Sequence, residues 1–327
     1  MAVIVIFGAM TITFFIFKSM PGDPVAIILG KEALLFPELV EAAKKTWHLD
    51  DPPHIQYFWY MSNLLRGNLG ISAYTKTPVA EELARRMPAT IELVIFGFII
   101  ALIIAIPAGV ISAVKRGKWI DGAARVFSIV GVSGPNFWWA ILLLYVFYLM
   151  LGWLSTGRLD DWTTPPPTVT GMYTIDSLLA GRIDTFLEAL KHLILPGITI
   201  GITSCGMMMR LTRSSMLEIL NSDYIMAARM KGLPERIVIY KHALRNALIP
   251  TVTWAGMSFG SMLGGSVFIE TIFNWRGMGQ FAVGCIFSAD YPGVMGVVLY
   301  MAIIYAICNL IVDLLYGYLD PRIRVGG

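Results

Sequence analysis

Long apolar runs separated by polar connections dominate the chain. A helix that crosses about 30 Å of hydrocarbon needs about 20 mostly apolar residues. Six segments meet or approach that length: Ala2–Phe17, Ile91–Val114, Val126–Leu151, Ala189–Leu211, Leu248–Phe268 and Val294–Tyr318. The first is short, starts beside Met1 without a basic flank, and is expected to begin inside a longer natural helix. It lacks the charged start and small-residue cleavage site of a secretory signal. Pro107, Pro135, Pro196 and Pro250 fall in or at the edge of spans, where proline predicts kinks.

The connection over residues 18–89 is long enough to carry structure of its own. Pro37 to His48 and Pro53 to Arg66 read as short amphipathic helices. Thr77-Pro78 reads as an N-cap and first helical position, with Glu81 and Glu82 in the first turn and Arg85 and Arg86 in the last. Together they predict a small cap on the outer face, with a membrane-surface helix as the alternative. Pro165, Pro166 and Pro167 form a stiff extended spacer in the next outer connection. The predicted organisation is a first transmembrane helix (1–17), an extracytoplasmic loop with short helices (18–89), and a core of five spans (90–327) containing a cytoplasmic loop at 214–247.

Composition agrees with a lipid solvent. Hydrophobic residues make up 56% and charged residues 14%, against about 25% charged in a soluble domain. The net charge of +3 comes without a dense basic block, which argues against nucleic acid as a partner. Cys205, Cys285 and Cys308 have no metal-ligand spacing and an odd count, so they read as buried apolar side chains, and no metal site is expected. Charge instead reports topology. Lys115, Arg116, Lys118 and Arg125 cluster in one connection; Arg210, Arg213, Arg229, Lys231, Arg236, Lys241 and Arg245 cluster in another; Arg322 and Arg324 close the tail. The Arg158–Glu188 connection is acidic, with Asp160, Asp161, Asp176, Asp184 and Glu188. The basic regions alternate correctly to share the cytoplasmic side with both termini.

Ser214–Asn246 is too polar to span, yet it is patterned like helix. Tyr224, Ala227, Ala228 and Lys231 recur at spacings of three and four, on one helical face. Gly232 ends that helix and Pro234 starts another. A short helix beneath a membrane bundle, with small residues beside a glycine break, suits close contact with a neighbouring surface.

The run DYIMAARMKGLPERIVIYKHALRNALIPTVT, Asp223 to Thr253, resembles the EAA loop of binding-protein-dependent ABC importers. Ala227-Ala228 followed by Gly232 fits that pattern, and HALRNALIP (His242 to Pro250) resembles the B-type permease of dipeptide/oligopeptide importers. Further matches occur in order along the chain: PGDP at 21–24, GNLGIS at 67–72, AVKRG at 113–117, RLTRSSMLEIL at 210–220, ETIFNWRGMG at 270–279 and VDLLYGYLDPRIR at 312–324. The sequence departs from the general pattern at Met226, where a glutamate would stand, and at Arg245, near a loop proline. The resemblance implies an all-α membrane protein with six transmembrane helices, a type I importer permease with a cytoplasmic coupling helix, in a bacterial plasma membrane. It implies a homologous second permease, two ATPase subunits and an extracytoplasmic binding protein as partners. Tyr224, Ala227, Ala228, Gly232, Leu233, His242 and Arg245 would couple the chain to an ATPase. The chain has no phosphate-binding GxxxxGK[ST] loop, since Gly117-Lys118 is followed by Trp119. No cofactor is expected here; ATP and magnesium belong to the partner subunits. The cargo implied is a dipeptide or oligopeptide, although relatives of this kind also carry glutathione, nickel complexes or haem.

Gly256, Gly260 and Gly264 form a ridge that permits close helix packing, within one bundle or against the second permease. Glu92, Glu270 and Asp313 are the carboxylates nearest the spans, and each lies close to a span end. Glu270 with Asn274 and Arg276 is expected to line the outer mouth. A competing reading comes from Gly131-Val132-Ser133-Gly134, which resembles the GxSG of rhomboid intramembrane proteases. Ser133 would need a histidine within hydrogen-bond reach; it lies about 12 Å into its span at 1.5 Å per residue, whereas His192 and His242 enter from the two ends. The alternative is a glycine-proline kink with Ser133 at a helix contact. A secondary transporter would instead show inverted repeats with broken helices in both halves, and none is visible.

Overall fold

A computed structural model describes residues 2–18, 25, 35–46 and 48–319. The PGDP run and the basic tail fall outside these, as does the side chain of Asp313. Among the described residues the fold is all-helical, and its β-pairing is an isolated antiparallel bridge between Ile71 and Pro78.

The helices are α1 (Ala2–Lys18), α2 (Pro37–Thr46), α3 (Pro53–Leu65), α4 (Val79–Val114), α5 (Trp119–Ser133), α6 (Asn136–Leu143, widening into π-helical turns over Leu144–Met150), α7 (Tyr173–Leu179), α8 (Ile183–Leu220), α9 (Asp223–Met230), α10 (Glu235–Ile272), α11 (Met278–Phe287) and α12 (Tyr291–Leu319). Four stretches are long and apolar enough to cross a membrane: α4, α8, α10 and Tyr291–Ile311 of α12. The α5–α6 pair makes a fifth if counted as one broken span; α1, at 17 residues, belongs with the shorter apolar helices.

Two expectations change. Val126–Leu151 is not one kinked rod, because the axis turns by 107° between α5 and α6. Gly134 and Pro135 both take extended backbone there, and proline has no N–H to carry the helix across. Pro107, Pro196 and Pro250 stay inside unbroken helices. The Thr77-Pro78 expectation also shifts. Pro78 is the N-cap residue with no side-chain cap, and Thr77 Oγ1 donates to Glu82 Oε1 at 3.2 Å instead of accepting a backbone N–H. The helix it begins does not stop at Arg86 but continues through Pro88 to Val114 as α4.

The centre of the bundle is a parallel pair, α4 and α8. Gly97 faces Gly197 and Ile200, and further along Gly109 faces Met209 and Thr212, so both helices advance in one direction. Small residues repeat every fourth position along α4 at Gly97, Ala101, Ala105 and Gly109. A Cβ at Gly97 would lie 2.7 Å from the Gly197 carbonyl oxygen, and one at Gly201 2.6 Å from the Gly97 carbonyl oxygen. The backbones therefore approach as closely as glycine allows. Burial follows from this placement: 72% of the apolar window of α8 is covered, against 22% in α12. α10 runs antiparallel along the pair, since Thr212 meets Thr251 at one end and Thr90 meets Glu270 at the other. Apolar side chains such as Ile99, Ile103 and Phe268 point outward, as suits a lipid solvent.

Candidate functional site

α9 begins after Ser222, with Asp223 in its first turn, and ends at Met230. Gly232 takes φ +75°, and its N–H donates to the Arg229 carbonyl at 2.9 Å. That left-handed cap suits glycine. Pro234 then opens the helical turn Glu235–Ile237, and π-helical turns over Val238–Ala243, containing His242, lead into the long part of α10.

The helix is planted by its apolar face. Ile225 and Ala228 insert into a cluster with Val110 and Ala113 of α4, Met216 of α8, and Val238, Ile239, Ala243 and Ala247 of α10; Leu233 packs against it. The four residues read as one face are therefore divided. Ala228 turns inward with Ile225, three positions before it, because the larger apolar residue decides which face is buried. Tyr224 and Lys231 remain exposed and Ala227 is half-buried. The outward surface adds residues the sequence analysis had left without a role: Met226, Met230, Ile237 and Tyr240 are all exposed. Met226 is 56% and Met230 77% accessible, so a large part of this short helix's outer face is bare hydrocarbon and thioether. Its orientation is fixed by polar ties at both ends. Asn246 Nδ2 donates to Tyr224 Oη at 2.9 Å, and Arg229 pairs with Glu235 at 2.8 Å. Arg245 is exposed beside Asn246.

Beneath this seat lies a buried charge cluster that the sequence analysis treated only as topology signal. Arg213 of α8 grips Asp121 of α5 with Nε to Oδ1 at 2.7 Å and Nη2 to Oδ2 at 3.0 Å. Ser112 Oγ of α4 and the Gly117 N–H complete the set at 2.7 and 3.0 Å. Three helices meet on one carboxylate that is 1% exposed. Asp121 was the lone acid among Lys115, Arg116, Lys118 and Arg125, and that solitude was the available signal.

The opposite end of the bundle is closed by carboxylates. Glu270 does not line an outer mouth: it is fully buried. Thr90 Oγ1 and Ser266 Oγ donate to its Oε1 at 2.7 and 2.9 Å, and the Gly279 and Gln280 N–H groups donate to Oε2 at 2.7 and 3.1 Å. The chain folds back after α10 and brings the first turn of α11, with its Gly279 and Gln280 N–H groups, onto the carboxylate, which is why a carboxylate near a span end lost its access to water. Asn274 and Arg276 are exposed, and Asn274, at φ +52°, accepts from Gln280 Nε2. Glu92 binds Arg158 Nη2 at 2.7 Å and the Thr174 N–H and hydroxyl, both at 2.7 Å, while the Arg158 guanidinium lies 3.6 Å from the Tyr173 ring centroid. Asp290 joins Ser72, the Tyr74 N–H and the Gly293 N–H. Burial works against the charge on Asp176. Donors from Thr170, Val169 and Gly171 outweigh it and hold that carboxyl below the usual carboxylate range.

The remaining sequence candidates separate. Gly260 packs on Tyr305 of α12, whereas Gly264 faces open space and Gly256 is half-buried; the ridge is not one continuous contact. Ser133 is exposed and donates to the Ile129 carbonyl at 2.7 Å. His192 turns to Thr156 and Asp160, so the serine-histidine pair of a protease does not form.

Comparison with known proteins fits this geometry. Residues 105–325 match the family described as "Binding-protein-dependent transport system inner membrane component", and residues 1–94 match its N-terminal counterpart, "Binding-prot-dependent transport system membrane comp, N-term". Among relatives, the probable D,D-dipeptide transport system permease protein DdpB of Escherichia coli (strain K12) is 44% identical over 99% of this chain and 95% of its own length. The dipeptide transport system permease protein DppB of Alkalihalophilus pseudofirmus is 42% identical over 98% of this chain and 96% of its own. The di/tripeptide permease DppB of Pseudomonas aeruginosa is 41% identical over 97% and 94%. With both family regions matched and similarity running the full length, the chain belongs to the inner-membrane permease components of binding-protein-dependent transport systems.

Proposed function

We propose that this chain forms half of the translocation pathway of an ATP-driven peptide importer, and that α9 is the lever through which separate ATPase subunits move it. The observation that carries the proposal is the two-sided build of α9. Ile225 and Ala228 lock it to α4, α8 and α10, while Tyr224, Met226 and Met230 stand bare on the other side. A force applied to that bare face is delivered to three long helices at once. Methionine and tyrosine suit a docking surface that repacks through a cycle.

In this reading the chain makes six crossings, with α1 first and the α5–α6 pair as the third. Both termini and α9 lie in the cytoplasm, where the basic connections belong. A homologous permease completes the pathway, and Gly264, open on the α10 surface, belongs to that contact. Two ATPases bind ATP and magnesium; this chain is not an enzyme. An extracytoplasmic binding protein delivers cargo to the end where Asn274 and Arg276 are exposed. Short peptides are the cargo class, supported by the names of full-length relatives.

Cysteine placed at Met226 or Met230 should cross-link to an ATPase subunit in the assembled complex. Met226→Lys with Met230→Lys should abolish substrate-stimulated ATP hydrolysis while leaving this chain's stability within about 0.5 kcal/mol, as for other exposed positions. Cross-links that form only to extracytoplasmic partners, or transport unchanged in the double variant, would overturn the assignment.

A further inference from the structure

Away from α9, the connection 152–172 crosses the start of α8, and Asp160, Glu188 and His192 converge there. One potential ligand atom from each lies within 4.8 Å of the others. Glu188 and His192 are four apart on α8 and so share a face. His192 is 1% exposed, and its Nδ1 lies 2.7 Å from the Thr156 carbonyl oxygen. A carbonyl oxygen only accepts, so Nδ1 carries a proton. Nε2, on the far edge of the ring, is buried without a hydrogen-bond partner and lies 3.3 Å from Asp160 Oδ1. Glu188 is itself oriented: its Oε1 accepts the Asp160 N–H at 2.9 Å, and the Thr163 hydroxyl meets both its oxygens at 2.8 Å.

From this arrangement we propose that Asp160, Glu188 and His192 bind a divalent transition-metal ion of the zinc type. A ring held by Nδ1–H to a backbone carbonyl presents Nε2 as the ligand lone pair, the usual way a protein presets a metal-binding histidine. One imidazole nitrogen with two carboxylates suits zinc, which bonds each at about 2.0–2.2 Å. Calcium and magnesium prefer sites built from oxygen alone. Asp160 and Glu188 are both partly exposed; Asp160, its side chain 26% accessible, is free to close the triangle from the loop side. The fourth position is left to water. The bound ion would staple the loop to α8, with no other subunit contributing a ligand. The 28-position separation of Asp160 and Glu188 hides the set from any spacing rule, since only the fold brings them together.

The test uses the assembled transporter without its binding protein, stripped with chelator and titrated with zinc chloride by calorimetry. The wild type should take up one zinc ion per copy of this chain, and zinc should slow amide hydrogen exchange in residues 152–163. Asp160→Asn and Glu188→Gln preserve size and most hydrogen bonds. Each should weaken that zinc binding at least tenfold and remove the exchange protection, and calcium or magnesium should give neither effect in the wild type. X-ray absorption at the zinc edge of the wild type should show one nitrogen and two or more oxygens with a histidine signature; this arm stands even if a variant fails to assemble. Zinc affinity unchanged in both variants, no zinc uptake by the stripped wild type, or a sulfur-dominated edge spectrum would overturn the proposal and leave the trio as a histidine-aspartate ion pair.

Discussion

At one end of the bundle, carboxylates turn inward and satisfy the backbone around them; at the other, a short helix turns apolar side chains outward. Glu270, Glu92 and Asp290 together collect donors from α4, from both long connections, and from the first turns of α11 and α12. The α9 end has its own buried carboxylate, Asp121, but there the polar cluster lies beneath the surface and the surface itself is Tyr224, Met226 and Met230. On the proposed function, the difference separates two tasks. A region that must keep its shape uses buried, fully partnered polar groups, because each one is costly in any other arrangement. A region that must dock with another protein exposes apolar area whose burial awaits the partner.

Breaking the locked end should have the largest effect. Glu270→Ala removes the acceptor for two backbone N–H groups and two hydroxyls. Ser266 retains the Leu263 carbonyl as an acceptor at 2.8 Å, but the Gly279 and Gln280 N–H groups have no such reserve. Each buried unsatisfied group costs about 1–3 kcal/mol. The variant should lose on the order of 3 kcal/mol or more, read as a large drop in thermal midpoint for the purified chain in detergent. A midpoint within experimental scatter of the wild type would show that the Glu270 lock is not what holds this end.

How much of this was legible in the sequence follows the same division. The long helices were legible because apolar length is a local property, and α9 was legible because Ala227, Ala228 and Gly232 sit in one short window. What failed were properties set by chain return. Glu270 looked interfacial from its position near a span end, and only the turn through Gly277–Gln280 makes it buried. Ala228 looked like part of a docking face until Ile225 proved to choose the buried side. The Gly97, Ala101, Ala105, Gly109 stripe was readable by the same small-residue rule applied to Gly256, Gly260 and Gly264; the ridge with three glycines drew attention from the one mixing glycine and alanine, where the α4 and α8 backbones meet. The 107° turn at Gly134-Pro135 exceeds an ordinary proline kink because both residues leave helical backbone, and composition does not distinguish one such residue from two.

A middle-sized effect tests whether the turn after α9 matters by shape or by contact. Gly232 has φ +75° and nothing within 4 Å of where a Cβ would stand. A bulky residue therefore meets no wall, and its cost is the left-handed conformation, about 1–2 kcal/mol for an ordinary residue. Gly232→Val should lower stability by roughly that amount and uncouple ATP hydrolysis from import, whereas Gly232→Asn, which tolerates the left-handed region, should retain most transport. Equal loss in both would mean that a partner surface, not backbone conformation, reads this position.

The smallest effect belongs to the ion pair that spans the same turn. Arg229 and Glu235 meet at 2.8 Å with side chains 42% and 55% accessible. Exposed pairs of this kind contribute about 0.2–1 kcal/mol and weaken with salt. In a double-mutant cycle with Arg229→Ala and Glu235→Ala, the coupling energy should fall in the lower half of that range in the isolated chain and shrink further at high ionic strength. Arg229 also donates to the Leu220 carbonyl at 3.3 Å, so Arg229→Ala alone should cost slightly more than Glu235→Ala. If the coupling instead grew in the presence of an ATPase subunit, the pair would be buried on docking. The outward surface of α9 would then extend past Met230 onto the turn itself, which would enlarge the bare face that sets this end of the molecule apart from the other.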